Sequence, residues 1–229
     1  AQWYKDGATY GSATDISSAS TNELNYVASL WIARRTSALY LDGSMDEVAI
    51  YNKALSASEI SNHYNVGSTS LYRQTILNTS GLSGYFPLDE QSGTVADDAS
   101  TTNNNGTYTN TPTLGVSGAI VGGAATGVTF ASASTEYVSV PDNDGYDFGT
   151  GDFSLEAWIK RSAAPSGGTQ FILAHDGEGE TDSWELFQSN GSSTLNSRIG
   201  LVTVTSGTEE INDNRWHHIV LTIDRDGYG

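Results

Sequence analysis

The sequence predicts an all-β protein, built as a two-sheet antiparallel sandwich, and three observations support this prediction. Charged residues make up only 16% of the 229 residues, whereas globular proteins usually contain about 25%. Short apolar runs are separated by clusters of Gly, Ser, Thr and Asn, which favour turns. Many of these runs alternate apolar and polar side chains with a period of two, as half-buried strands do.

The strand pattern recurs through most of the sequence. The clearest predicted strands are residues 137–140, 153–160, 171–174, 184–188, 198–204 and 217–223. One helix is also indicated, because Ser56 is followed three residues later by Glu59, which forms a capping box, and Ile60 and Tyr64 then lie on one helix face. We therefore expect one short helix near residues 57–64.

Composition limits the classes of function. Aromatic residues make up 10% of the chain, enough for a substantial core, and the length suits one large β-domain. The net charge of −17 repels phosphate backbones and anionic membrane surfaces, so we expect no nucleic-acid partner. Cysteine is absent, which excludes disulfides and thiolate metal sites. No apolar run approaches the roughly 20 residues of a membrane span, so we expect no membrane insertion.

Four segments resemble the laminin-G-like family of the concanavalin A-like lectin/glucanase superfamily. Residues 43–64 (GSMDEVAIYNKALSASEISNHY) are similar to its closing strand and helix, and residues 85–100 to its opening strand. Residues 137–160 and 216–224 resemble core strands. The resemblance implies a jelly-roll sandwich of the laminin-G/concanavalin type, and it places Trp158 and Trp216 at inward-facing positions.

The order of these segments is swapped relative to the family. The closing part occupies residues 1–66, a linker is predicted at 67–83, and the opening part occupies 84–229. The end of the chain, 218–229, also continues into residues 1–12 as two strands around a Gly-containing turn. Three arrangements follow: a circularly permuted domain, a fragment of a longer chain, or one period of a tandem array, completed in cis or by residues 1–66 of a neighbouring copy. We favour the array.

Head-to-tail contacts of this kind do not close on themselves and build filaments. We therefore expect a non-enzymatic, extracellular repeat domain that assembles with other copies into a fibre or appendage, on a cell or virion surface, with adhesion or carbohydrate binding on its loops. The alternative is a stand-alone calcium-dependent carbohydrate-binding module. A glycoside hydrolase is the third possibility.

Calcium is the cofactor that an acidic, Asp-rich chain would suit. The family resemblance implies rim sites made of loop carboxylates, where Asp97 and Asp98 are the candidate pair, with Asp46 as a further ligand or a hydrogen-bond acceptor. Asp142 and Asp144 lie in a second oxygen-rich loop, which an Asx turn would also explain.

The hydrolase hypothesis depends on Glu180, Asp182 and Glu185, which match an E-x-D-x-x-E pattern of laminarinase-like glucanases. Thr181 and Ser183 replace the apolar residues of that pattern, so we interpret the segment as a hairpin tip and expect no catalysis. His217 and His218 are neighbours that a strand sends to opposite faces, so they do not share a metal.

Exposed aromatic rings are the candidates for stacking on sugars. They are Trp3, Trp31, Tyr10, Tyr146 and Tyr228. Asn-glycosylation sequons occur at Asn78, Asn105 and Asn190.

Overall fold

A computed structural model describes residues 1–19, 23–35, 39–67, 71–120, 126–175, 181–208 and 210–225. In chain order the strands are β1 (Gln2–Lys5), β2 (Ala8–Thr9), β3 (Leu30–Ile32), β4 (Gly43–Tyr51), β5 (Leu82–Phe86), β6 (Val95–Ala96), β7 (Gly106–Thr109), β8 (Thr113–Ser117), β9 (Thr126–Phe130), β10 (Tyr137–Val140), β11 (Phe153–Lys160), β12 (Gln170–His175), β13 (Trp184–Gln188), β14 (Leu195–Ile199), β15 (Val202–Thr205) and β16 (Trp216–Ile223). The helices are α1 (Ala57–Val66) and α2 (Tyr72–Asn78), with short 3₁₀ turns at Ser17–Ala19, Ser132–Ser134 and Asp144–Tyr146.

The strands form two antiparallel sheets. The first sheet has the order β2-β1-β16-β11-β4-β9-β8, with β5 also paired to β4. The second has the order β15-β14-β13-β12-β3-β10-β7-β6. The predicted all-β sandwich is therefore confirmed, and the strand that resembles the family's opening strand lies beside the closing strand, with Val48 opposite Phe86.

The main core lies between the sheets, and a second apolar cluster covers the outer face of the first sheet. Along β16, Ile219 and Leu221 belong to the main core, whereas Val220 belongs to the outer cluster under the helices. Trp158 and Trp216 belong to the outer cluster as well. The expectation that these two tryptophans face the main core is therefore wrong. Residues an even number of positions apart on a strand lie on one face, so Trp216 lies on the outer face of β16 together with Val220.

Helix α1 begins as predicted, because Ser56 and Glu59 form a capping box in which each side chain accepts a hydrogen bond from the other residue's backbone N–H. The prediction of a single helix is wrong. A second helix, α2, lies within the segment expected to be a linker, and its Tyr72 and Ile76, four residues apart, are buried on one face. Neither helix in the described part of the chain is long and apolar enough to cross a membrane.

Strands from the two ends of the chain pair within one molecule. Strand β1 pairs antiparallel with β16, from Gln2 opposite Thr222 to Lys5 opposite Ile219. Strand β1 then turns into β2 through Asp6 and Gly7, whose φ angles of 51° and 77° fit a two-residue hairpin turn. The predicted turn between the chain ends includes residues 226–229, which lie outside the described residues.

Candidate functional site

A cleft of about 350 Å³ opens at the outer face of the first sheet. It lies between the end of α1, the turn that joins β1 to β2, and the segment that leads into β16. Its lining residues are Asp6, Tyr64, Asn65, Gly67, Ala119, Trp158, Asp213, Arg215, Trp216 and His217.

Aromatic rings form the wall of the cleft. Tyr64 of α1 stacks on Trp158 of β11, with ring centroids 5.8 Å apart and planes inclined by 23°. Trp158 is only 6% exposed, whereas Tyr64 and Trp216 are half-buried. His218 lies behind this wall, with its ring 5.1 Å from that of Trp158. The rings that remain partly exposed are therefore supported from beneath by buried ones.

Two glycines allow this close packing. A Cβ atom at Gly67 would lie 2.6 Å from Cζ2 of Trp158, and a Cβ atom at Gly7 would lie 2.9 Å from Cδ1 of Tyr64. Both distances are shorter than carbon atoms tolerate. The absence of a side chain at these positions lets the end of α1 and the β1–β2 turn approach the aromatic wall.

A histidine held between two carboxylates forms the polar rim. Nδ1 of His217 lies 2.9 Å from Oδ2 of Asp6, and Nε2 lies 3.0 Å from Oδ1 of Asp213. Because ionised carboxylates only accept hydrogen bonds, both ring nitrogens carry protons and the ring is an imidazolium. The hydrogen bond to Asp6 is the main reason that the pKa of His217 is raised, and Asp213 adds to it against the effect of burial.

A buried charge network lies beneath the aromatic wall, centred on Glu156 of β11, which is completely buried. Its carboxylate accepts hydrogen bonds from the hydroxyls of Tyr51 and Tyr72, both at 3.0 Å. It also accepts from Nδ1 of His63 at 3.0 Å and from Nε2 of His218 at 2.7 Å. The carboxylate of Glu156 thus links three strands of the first sheet, β4, β11 and β16, to both helices.

The protonation of His63 follows from its partners. The hydroxyl of Thr79 donates its proton to the carbonyl of Thr75, so it can only accept from Nε2 of His63. Nδ1 faces Glu156, so His63 is also an imidazolium. Burial alone lowers the pKa of His63, but the charge and hydrogen bond of Glu156 outweigh it and raise that pKa. Burial alone raises the pKa of Glu156, and the two histidines lower it well below its usual range.

This arrangement suits binding better than acid–base chemistry. Glu156 has no exposed surface, and both ring nitrogens of His217 are already bonded to carboxylates. General acid–base catalysis needs a group that can reach the proton it transfers. Partly exposed aromatic faces beside polar groups instead match the apolar faces and hydroxyl edges of a sugar ring.

Asp97 and Asp98, the first predicted pair of calcium ligands, differ in burial and in hydrogen bonding. Asp98 is buried, and its oxygens accept hydrogen bonds from the backbone N–H groups of Tyr85, Ser100 and Asn104. Asp97 next to it is exposed. Asp98 therefore organises its own loop by hydrogen bonds to the backbone.

Asp46 lies apart from that loop. Its Oδ2 accepts a hydrogen bond from the backbone N–H of Ala119 at 2.7 Å, as the alternative role for this residue predicted. Burial is the main reason that the pKa of Asp46 is raised, and the charge of the neighbouring Glu47 raises it further.

The second oxygen-rich loop has turn geometry. The side chain of Asn143 accepts from the backbone N–H of Gly145, which is an Asx turn. Asp142 and Asp144 are exposed, and Oδ1 of Asp142 lies 3.5 Å from Nε2 of the buried His175. Among all the described residues, no three His, Asp or Glu side chains are arranged to hold a metal ion.

Most of the predicted sugar-stacking rings are not exposed. Trp3, Tyr10 and Tyr146 are buried in the main core, so their expected exposure is wrong. Trp31 on β3 is half-buried, but the guanidinium of Arg34 already lies 4.5 Å from its ring centroid. Tyr228 lies outside the described residues.

Two of the three carboxylates in the hydrolase pattern, Glu185 and Asp182, lie within the described residues. Glu185 on β13 is buried and forms ion pairs with Arg35 at 2.8 Å and Arg198 at 3.3 Å. Asp182 lies in the loop before β13. Glu180 lies outside the described residues.

The sequon asparagines differ in accessibility. Asn78, at the end of α2, and Asn190 are exposed. Asn105 is half-buried, and its side chain accepts a hydrogen bond from the backbone N–H of Asp98.

The chain matches one known protein family over two segments. The family model Laminin_G_3, of the concanavalin A-like lectin/glucanases superfamily, matches residues 1–61 and 132–228. The chain belongs to this family. The match falls in two segments that together make up more than half of the chain, as expected for a permuted laminin-G-like domain. No curated protein and no solved structure matches the chain.

The cleft residues were not found by sequence reasoning. The family resemblance predicts inward-facing positions for Trp158 and Trp216, and the sequence pattern indicates Tyr64 only as a residue on one helix face. The period of two puts Trp216 on the same face as His218 and Val220, but only the structure shows that this face packs under the helices.

Proposed function

We propose that this domain is a non-catalytic, extracellular carbohydrate-binding domain and that it binds glycan in the cleft beside α1. The observation that supports the proposal is the combination of Tyr64, Trp158 and Trp216 in one concave surface with a polar rim. The volume of about 350 Å³ is at the lower end of the range of small-ligand pockets.

Two further observations favour binding over hydrolysis. Glu156, which lies beneath the aromatic wall, is enclosed by hydrogen-bond donors and is not accessible to a substrate, and the carboxylates of Asp6 and Asp213 at the rim are both bonded to His217. The pattern of a glucanase is broken by the burial of Glu185 between two arginines. An extracellular location agrees with the family, whose domains typically lie outside the cell.

The experiment compares two tryptophan variants. Isothermal titration with polysaccharides is expected to give binding that Trp216→Ala weakens by about 10-fold or more, because a stacking ring in a binding site contributes roughly 1.5 kcal/mol or more. Trp31→Ala is the matched control, since Trp31 lies on the second sheet. The proposal is contradicted if both variants lose affinity equally, or if Trp216→Ala leaves binding unchanged.

Calcium is tested in the same titrations. Binding that persists in EDTA agrees with a cleft that recognises sugar through rings and hydrogen bonds. Binding that disappears in EDTA and returns with Ca²⁺ would instead favour the calcium-dependent module.

A second proposal is assembly by exchange of the N-terminal part between copies. The observation that favours it is the β1–β16 pairing, because residues 1–66 of a neighbouring copy could form the same pairs as those within one chain. Q2C combined with T222C tests this in a chain without native cysteine. A disulfide-linked ladder on a non-reducing gel supports exchange, and a monomer with an internal disulfide contradicts it.

A further inference from the structure

We infer that the cleft accepts an uncharged saccharide and rejects acidic glycans. This inference rests on the proposed function and specifies the class of its ligand. It follows from the charges that line the cleft and from the partners that those charges already have.

The charges at the cleft cancel. The ionisable groups with a formal charge in the lining are Asp6, Asp213, Arg215 and His217. His217 carries a positive charge because each of its ring nitrogens donates to a carboxylate. Two negative charges therefore face two positive charges, and a charged ligand finds no excess of opposite charge in the cleft.

Three of the four carboxylate oxygens at the rim already accept hydrogen bonds within the domain. Oδ1 of Asp6 accepts from the backbone N–H of His218, and Oδ2 accepts from His217. Oδ1 of Asp213 accepts from His217 and from the backbone N–H of Arg215. At the remaining oxygen, Oδ2 of Asp213, a cationic sugar would meet the guanidinium of Arg215 3.8 Å away, so the rim does not favour an amino sugar.

Arg215 does not create an anion site on its own. Its side chain is 81% exposed and lies 3.8 Å from Asp213. An ion pair between a ligand and a group in this position contributes only about 0–1 kcal/mol because water and salt screen it. The net charge of −17 opposes any polyanion that approaches. The favourable contacts that remain are ring stacking and neutral hydrogen bonds, which an uncharged sugar supplies.

The experiment uses soluble polysaccharides of three charge classes at about 50 mM and about 500 mM NaCl, a range over which screening of exposed charges becomes strong. The neutral probes are dextran, galactomannan and xyloglucan, the anionic probes are polygalacturonate and heparin, and the cationic probe is chitosan. Affinities are measured by titration for the unchanged chain, Trp216→Ala and Trp31→Ala.

We expect the tightest Trp216-dependent binding for a neutral probe, with a Kd that changes by less than about twofold between the two salt concentrations. Chitosan binding that survives Trp216→Ala and disappears at the higher salt is also expected, because it reflects net charge alone. Trp216-dependent binding that is about 10-fold tighter for an anionic or cationic probe would overturn this inference and leave the proposed function standing. If no probe binds in a Trp216-dependent way, both fall.

Discussion

Replacement of Glu156 by Gln tests whether the buried network holds the helices on the first sheet. The carboxylate accepts hydrogen bonds from two tyrosine hydroxyls and from His63 and His218. Glutamine keeps one acceptor oxygen and replaces the other by an NH₂ donor, so at least two of the four groups that donate to the carboxylate lose their acceptor. The change also removes the negative charge that faces the imidazolium of His63.

The expected loss is about 3–5 kcal/mol in the free energy of unfolding, the usual cost of removing one partner from a buried ion pair. That figure is a large share of the roughly 5–15 kcal/mol by which a typical domain is stable. Urea unfolding followed by tryptophan fluorescence measures the difference near pH 5.5, and Asp97→Asn is the matched control because Asp97 is an exposed carboxylate.

The same variant predicts a change in pH dependence. Glu156 has a pKa lowered from 4.5 when folded, so its stabilisation is present above pH 4.5 and is lost as the pH falls toward the folded pKa. His63 has a pKa raised from 6.5, so its stabilisation is complete below pH 6.5 and is lost as the pH rises through the folded pKa. The stabilisation that this pair contributes should therefore be greatest between pH 4.5 and 6.5, and the stability lost in Glu156→Gln should be largest there. A loss below about 1 kcal/mol, with the pH profile unchanged, would refute this account.

Two further substitutions test neighbouring features. Glu47 is buried, and burial is the main reason that its pKa is raised to about 7. The neutral variant Glu47→Gln should therefore raise the free energy of unfolding at pH 8 by up to roughly 3 kcal/mol, seen as a higher melting temperature, and should have little effect at pH 4. Equal effects at both pH values would contradict the assignment. Gly7→Ala should lower the free energy of unfolding by about 1–2 kcal/mol, because Gly7 has a positive φ. The same substitution should weaken glycan binding, because the new methyl group displaces Tyr64. Gly191→Ala is the control with a similar φ of 68° and open space around it, and a binding loss of equal size there would show that Tyr64 is not involved.

Several strands could be read from the sequence because their cause is local, although the strand predicted at 198–204 is divided by a turn into β14 and β15. A strand sends alternate residues to opposite faces, so 153–160 and 217–223 were identified from side-chain type alone, and the structure places β11 and β16 there with bounds shifted by no more than one residue. The helix at α1 was found for the same reason, since its capping box is formed by residues three apart. Helix α2 was missed because its start has no side-chain cap and its apolar pair lies in a polar segment.

Exposure could not be read in the same way. Trp3 and Tyr10 look like surface rings beside polar neighbours, but the pairing of β1 with β16 places Trp3 in the main core. Asp98 looks like a metal ligand because Asp97 precedes it, yet backbone N–H groups that are up to 13 residues distant in sequence satisfy its oxygens.

The sequence by itself determined the β-rich architecture and the acidic, cysteine-free composition, because these depend on residue type and local periodicity. The laminin-G-like sandwich and the swapped order of its two parts followed from the resemblance of four segments to that family. Only the tertiary structure decided that Asp6, Tyr64, Trp158 and His217 meet at one cleft. These residues are brought together by pairing between strands from opposite ends of the chain and by a helix packed across them. Such contacts depend on long-range register, for which no short stretch of sequence carries the information.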